Sequence, residues 1–498
     1  MRKLFTILIV ISALFVWNCE DPNEAPEVGA IITSADAPYA GQPVTLTSSA
    51  TDPEGDELTI TWSATHGTFD HVDMAEVIWT APNDNVVATV TVTYSDGSDE
   101  SSESLELTVG DLPALAFAGS ETCGGCHTGI YADFIDSGHP YKFNIIEGGV
   151  APTYPSFVDN YMSLPDAAAG SWDNVAGVIG GFGWKYRFVD KTGYVLGTAG
   201  SAFPGGMNQY NFFGGSSSVP WGWVDYHADD PAKKYNYSCF KCHTTGAVET
   251  SNPDSSWLKV HLDIDAPETM DYFAFGGIQC EACHGQGSQH AAYGNTDYIQ
   301  RVKTSRLEGT TDVNDLCGDC HTRNADRSIA SGGGFTNHHE QYDEFITTNH
   351  YDEAGMTCIT CHDPHKRTIW DGESIQQTCG TDCHSDQTTM KHNAAATCGS
   401  CHMPYSSKSG QQRGAYVGDI KSHLFAINTD ASYEFFNDDG LTVRQIDGKA
   451  MLSLKNACYG CHIDADGNGG YATSPGDTTQ YSMKTLEELA AYAVGMHD

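Results

Sequence analysis

The stretch CITCHDPH, Cys358 to His365, holds two cysteines separated by two residues, a histidine directly after them, and a second histidine three residues further on. Cys-x-x-Cys-His is the pattern through which a c-type haem is attached, the thiols adding to the two vinyl groups while the histidine takes the iron. A chain that has just bound one face of a haem cannot reach the opposite face of the same iron in three residues. His365 is therefore expected to ligate a neighbouring haem, which ties the haems to one another. Porphyrins are large apolar plates, so a chain wrapped around several of them buries surface without a conventional core of leucines.

The same pattern occurs seven times, at Cys123/Cys126/His127, Cys239/Cys242/His243, Cys280/Cys283/His284, Cys317/Cys320/His321, Cys358/Cys361/His362, Cys398/Cys401/His402 and Cys458/Cys461/His462. One copy is compatible with chance or with half of a zinc site; seven, each with the histidine in the same place, are not. An eighth stretch, TCGTDCH (378–384), carries one residue too many between Cys379 and Cys383, yet His384 stands where every other motif has its own. A disulfide would need no histidine there. Gly380 is free to take unusual backbone angles that absorb the extra residue, so the stretch reads as an eighth haem site. The expected cofactor complement is eight haem c, with calcium as a further candidate.

Of 17 cysteines, only Cys19 is then left over. It follows MRKLFTILIVISALFVWN, a basic start and an apolar run too short for a comfortable membrane span, which reads as an export signal. Haem attachment requires such export. The polar stretch after Cys19 resembles a lipoprotein tether, and Cys19 is read as a lipidation site, although Trp17 and Asn18 stand where small residues are usual. An ordinary signal peptide cleaved nearby is the competing reading. Otherwise the chain has no apolar run long enough to span a bilayer, so any membrane attachment is through this anchor. The net charge of −40 over 498 residues argues against nucleic acid or anionic lipid as partners and suits cationic carriers or metal ions.

The expected fold is multidomain: signal peptide (1–18), tether (19–26), an all-β immunoglobulin-like sandwich (27–110), then a mostly helical and irregular, loop-rich multihaem cytochrome c domain (111–498). Residues 27–110 contain short alternating strands around 43–48, 57–62, 76–79, 86–94 and 103–109, separated by turns such as Asp52-Pro-Glu-Gly-Asp56. The segment 50–62 also resembles cadherin-like and PKD-like modules of bacterial surface proteins, which commonly serve as spacers. Its acidic turn is a candidate for calcium or simply a solvated turn. Between the first two motifs, the aromatic and glycine-rich stretch from 179 to 227 reads as β-hairpins packed on the haems. The clearest helix lies at 482–495, with Gly495 placed to end it.

Function turns on the second axial position of each iron, because a second histidine makes an electron carrier and an open position permits substrate chemistry. Of 21 histidines, eight belong to motifs, and His66 and His71 lie in the sandwich. The remaining eleven suffice to close every iron. The candidate ligands are His139, His227, His290, His338, His339, His350, His365, His392, His423 and His497; His261, in the unremarkable context Leu-Lys-Val-His-Leu, is set aside. Met403 directly follows His402 and is better placed to pack than to coordinate. The loop Asp464-Ala-Asp-Gly-Asn-Gly469 lacks the carboxylate that would complete an EF-hand and reads as a turn able to hold a stabilising ion.

The stretches 278–290, 338–344, 358–365, 398–405 and 418–425 resemble exported multihaem cytochromes c related to the tetrahaem carrier of ammonia oxidisers. That superfamily also contains hydroxylamine oxidoreductase, pentahaem nitrite reductase and octahaem tetrathionate reductase. The resemblance covers roughly 115–498. It implies that His227, His290, His339, His350, His365, His392 and His423 are distal ligands, with His139 similarly placed and His497 a ninth. A surface anchor, a spacer domain and enough histidines to close every iron point to an electron conduit, nanowire-like in extracellular or cell-surface respiration, whose partners are other cytochromes or extracellular acceptors such as metal oxides. The surplus histidines permit a homopolymer. The alternative is a multihaem oxidoreductase acting on a small nitrogen or sulfur compound at one haem with an open axial site. No motif ends in lysine, a replacement that often marks the active haem in this superfamily.

Overall fold

The computed structural model describes residues 22–497, except 113, 207, 213–221, 227–229, 266–270, 307, 324–326, 371, 388–389, 393–395, 411 and 463–484. Cys19, His227 and the 464–469 loop therefore lie outside the described residues. The chain divides into two compact units, Met1–Ala114 and Leu115–Asp498.

In the first unit, strands with every second residue apolar pair into two antiparallel sheets. One runs Ile32–Thr33, Pro43–Thr47, Glu76–Thr80, Thr68–Phe69, and the other Thr59–Ala64, Val87–Ser95, Glu100–Thr108. Val44, Leu46, Val77 and Trp79 from the first sheet share a core with Trp62, Val90, Val92 and Leu107 from the second. The unit is thus an immunoglobulin-like sandwich, with sides set by the period-two pattern. On the outer face Thr91 and Thr93 bond the hydroxyls of Ser104 and Ser102, each at 2.8 Å. At the acidic turn, Asp52 Oδ1 accepts the backbone N–H groups of Glu54 and Asp56, closing the turn on itself.

The second unit is built of short helices, loops and one five-stranded antiparallel sheet in the order Phe143–Ile145, Val175–Gly181, Gly183–Asp190, Gln209–Asn211, Gly222–Val224. This is the expected hairpin region, and it carries its own aromatic core of Tyr186, Phe188, Phe182 and Phe212. Gly177 is required there, since a Cβ would stand 2.2 Å from the ring of Phe143. The predicted C-terminal helix spans Leu486–Ala493, opened by a reciprocal Thr485–Glu488 cap and ending before Gly495. Among the described residues no helix is long and apolar enough to cross a membrane.

Candidate haem-binding and electron-transfer site

Each attachment motif lies on or at the end of a short helical turn. Thr357 and Thr397 cap the turns Cys358–Cys361 and Cys398–His402, and Asp312 caps Val313–His321. In the ordinary motif the histidine N–H returns to the carbonyl of the first cysteine, His127 to Cys123 at 2.9 Å and His362 to Cys358 at 3.0 Å. TCGTDCH preserves that bond: His384 N–H donates to the Cys379 carbonyl at 2.7 Å across a single π-type turn, Cys379–Cys383. The expectation that Gly380 would absorb the extra residue is corrected here, because Gly380 does not adopt left-handed backbone. The wider turn takes up the residue as a whole. All sixteen described motif cysteines are free, Cys379 and Cys383 among them, so no disulfide consumes this pair.

The motif histidines are faced by other histidines at a recurring distance. Ring centroids lie 6.1 Å apart for His127 and His290, 6.4 Å for His243 and His339, and 6.3 Å for His284 and His365. The spacing is 6.1 Å for His362 and His423, 6.0 Å for His384 and His350, 6.0 Å for His402 and His497, and 5.8 Å for His462 and His392. An iron bound by two imidazole nitrogens at about 2 Å, each with its ring centre about 1 Å behind, sets two centroids about 6 Å apart. The residues therefore fit an axially closed haem iron. His321 lies in the electrostatic field acting on His139.

Nitrogen partners distinguish ligands from other histidines. Ring Nδ1 is held by the carbonyl of Gln300 in His284 (3.0 Å), of Asn295 in His290 (2.9 Å) and of Phe425 in His402 (2.6 Å), which leaves Nε2 with the lone pair a metal needs. His261 does the reverse, its Nε2 lying 2.9 Å from the Phe273 carbonyl. His338 also differs: Arg323 donates to its Nδ1 at 3.3 Å, putting the proton on Nε2, and its ring lies 4.1 Å from that of His339 rather than across from a motif histidine. Burial favours the neutral, ligating form of His139 and His423, which it brings down to about 3, and of His243, which it brings to about 4.

Thiols of different motifs lie close enough to act on one another: Cys123 on Cys280, Cys242 on Cys320, and Cys317 on Cys358. Cys283 lies in the field of Cys317, Cys361 in that of Cys379 and Cys383, Cys401 in that of Cys461, and Cys458 in that of Cys401. Were these sulfurs to attach porphyrin edges, their closeness would bring the edges of successive haems together.

Positive charge, scarce in this chain, gathers near His243 and His339. Lys142 and Lys185 act on His243, and Arg323 joins them on His338. Arg187, next to Lys185 in this field, has buried Nε and Nη2 atoms with no hydrogen-bond partner among the described residues. The sequence reading missed this cluster. The signal available to it was the small number of basic residues, 25 against 65 acidic ones, with three falling at 142, 185 and 187.

Residues 23–109 match the bacterial Ig domain family. Over 180 residues the chain is 28% identical to the multihaem cytochrome MtrA of Shewanella baltica, covering 34% of this chain and 46% of that protein. Over 208 residues it is 25% identical to the dissimilatory sulfite reductase MccA of Wolinella succinogenes, covering 33% of this chain and 28% of the relative. The chain's relatives are multihaem cytochromes. It spans less than half the length of either curated relative. Among solved structures, the octahaem sulfite reductase MccA of Wolinella succinogenes aligns over 70% of this chain and 66% of its own, with 19% identity and a TM-score of 0.47.

Proposed function

We propose that the chain is an exported electron carrier holding eight haems c, each closed by two histidines. The observation carrying this reading is the facing of seven motif histidines by a second imidazole at 5.8–6.4 Å. In it, His290, His339, His365, His423, His350, His497 and His392 serve the irons of His127, His243, His284, His362, His384, His402 and His462, and His139 serves that of His321. Neither His338 nor His227 is then needed as a ligand. Bound haem supplies reversible one-electron exchange at iron. The chain's residues would attach it, hold two axial imidazoles in place, and exclude small molecules from the metal. Thiol contacts support a neighbour order from His127 through His284, His321 and His362 to His384, with His243 branching from His321.

Other cytochromes or extracellular metal oxides are the proposed partners, with the sandwich as spacer and Cys19 as lipid anchor. The test is the intact mass of the mature protein together with EPR of the oxidised form and carbon monoxide addition to the reduced form. Eight attached haems, all low-spin and inert to carbon monoxide, are expected. Seven haems, or one high-spin haem that takes up carbon monoxide, would overturn the reading.

The cluster of Lys142, Lys185, Arg187 and Arg323 favours a second reading, in which the His243 haem acts on a small nitrogen or sulfur oxyanion. Cations with unpartnered N–H groups beside a haem suit a bound anion, either a haem propionate or a substrate. His339 would have to leave the iron. A change in the haem spectrum on adding sulfite or nitrite, abolished in Arg187→Gln, would favour this reading over simple transfer.

A further inference from the structure

Among the described residues, thiols that act on one another join the motifs into two groups. Those beginning at Cys123, Cys239, Cys280, Cys317, Cys358 and Cys379 are linked to one another, and those at Cys398 and Cys458 are linked to each other. Phe425 stands where the groups meet. Its ring lies 4.5 Å from that of His350, which faces His384, and 6.2 Å from that of His423, which faces His362. Its carbonyl oxygen is 2.6 Å from Nδ1 of His402 in the other group. One residue therefore touches an axial imidazole at three sites.

The backbone is bent to allow this. Phe425 has φ 61°, a left-handed conformation that a bulky residue adopts only under constraint, and the Ala426 N–H bonds back to the Leu424 carbonyl at 2.7 Å, closing a tight γ-turn around it. Both flanks are tied down. Before the turn, the His423 N–H donates to Glu344 at 2.7 Å; after it, Ala426 and Asn428 bond Leu452, each at 2.8 Å. Leu424 and Leu452 are fully buried in one core. An over-determined strained residue of this kind points to a job for its geometry.

We propose that Phe425 is the positioning residue that couples the two groups, its ring setting the approach of the His350 and His423 sites and its carbonyl orienting His402. This rests on the bis-histidine haem reading above. The test uses the full haem-loaded chain, with electron equilibration between the groups followed after partial flash photoreduction and the His402 haem potential followed by redox titration. Phe425→Leu keeps the carbonyl bond and loses the aromatic contact, so equilibration slows several-fold while the potential holds. Phe425→Gly also frees the turn, so the His402 imidazole loses basicity and the potential of its haem rises. Phe425→Tyr restores wild-type behaviour. If the glycine variant does not load haem, the leucine and tyrosine variants decide the matter. Wild-type rates in Phe425→Leu, with every haem retained, would overturn the proposal. Failure of the haem reading itself would be distinguishable, since it would show as a missing or high-spin haem in the wild-type protein.

Discussion

His284 and His365 face each other with ring planes 1° from parallel, their centroids 6.3 Å apart. The near-perpendicular arrangement occurs elsewhere in the molecule, at 78° for His350 and His384 and 79° for His392 and His462. The parallel arrangement is fixed from outside the pair, the His365 ring by Asp363 at 3.2 Å and the His284 ring by the Gln300 carbonyl at 3.0 Å.

Ligand-plane angle governs the splitting of the iron d orbitals, so the parallel His284 site should give a rhombic low-spin EPR signal and the two perpendicular sites strongly anisotropic ones. Replacing His365 by Ala removes the ligand and nothing of the attachment motif. Loss of the rhombic signal and appearance of one high-spin, carbon monoxide-binding haem is the expected result, with the total haem content unchanged.

The π-type turn at Cys379–Cys383 makes the spacing of this motif a tolerated variation. Deleting Thr381 restores Cys-x-x-Cys-His and should leave the haem count as it was, whereas Cys379→Ser with Cys383→Ser should lower the intact mass by one haem. An unchanged mass in the double serine variant would show that the stretch carries none.

Glu344 is fully buried, and burial pushes its carboxyl up to about 8 from the ordinary 4.5, against the opposing bonds from His423, Ser407 and Ser422. The folded protein therefore holds this proton more tightly than the unfolded chain does. Its contribution to stability is complete below the ordinary value of 4.5 and is lost as pH rises towards about 8. Urea midpoints of the haem-loaded protein at about pH 5 and about pH 8 measure the loss. Glu344→Gln should flatten the difference.

In the sandwich, Trp79 is fully buried and Gly67 packs against it with φ 86°, leaving only 2.5 Å between a would-be Cβ and the indole nitrogen. Trp79→Ala should cost about 3–5 kcal/mol, and Gly67→Ala should destabilise through both the clash and the backbone. Because this unit has its own core, the haem absorption spectrum of either variant should match wild type.

Much of this was legible in the sequence. The sandwich strands followed from apolar alternation, because a half-buried strand must alternate, and the attachment motifs could be proposed from a covalent pattern with little latitude. Pairings such as His127 with His290 and His402 with His497 could not be read, since the chain between them is irregular and its path depends on the haems it surrounds. His338 and His339 are neighbours of equal chemical promise, and the hydrogen bond from Arg323 to one and the facing of His243 by the other separate them. The role of Phe425 left no signature, because a positive φ at a phenylalanine is invisible in composition or periodicity.

The pairing of histidines from distant motifs also governs the order of assembly. His127 is made early, but its partner His290 follows only after the Cys239 and Cys280 motifs. On the proposed reading, a haem held at Cys123 and Cys126 would have one protein imidazole until the downstream chain supplies the other.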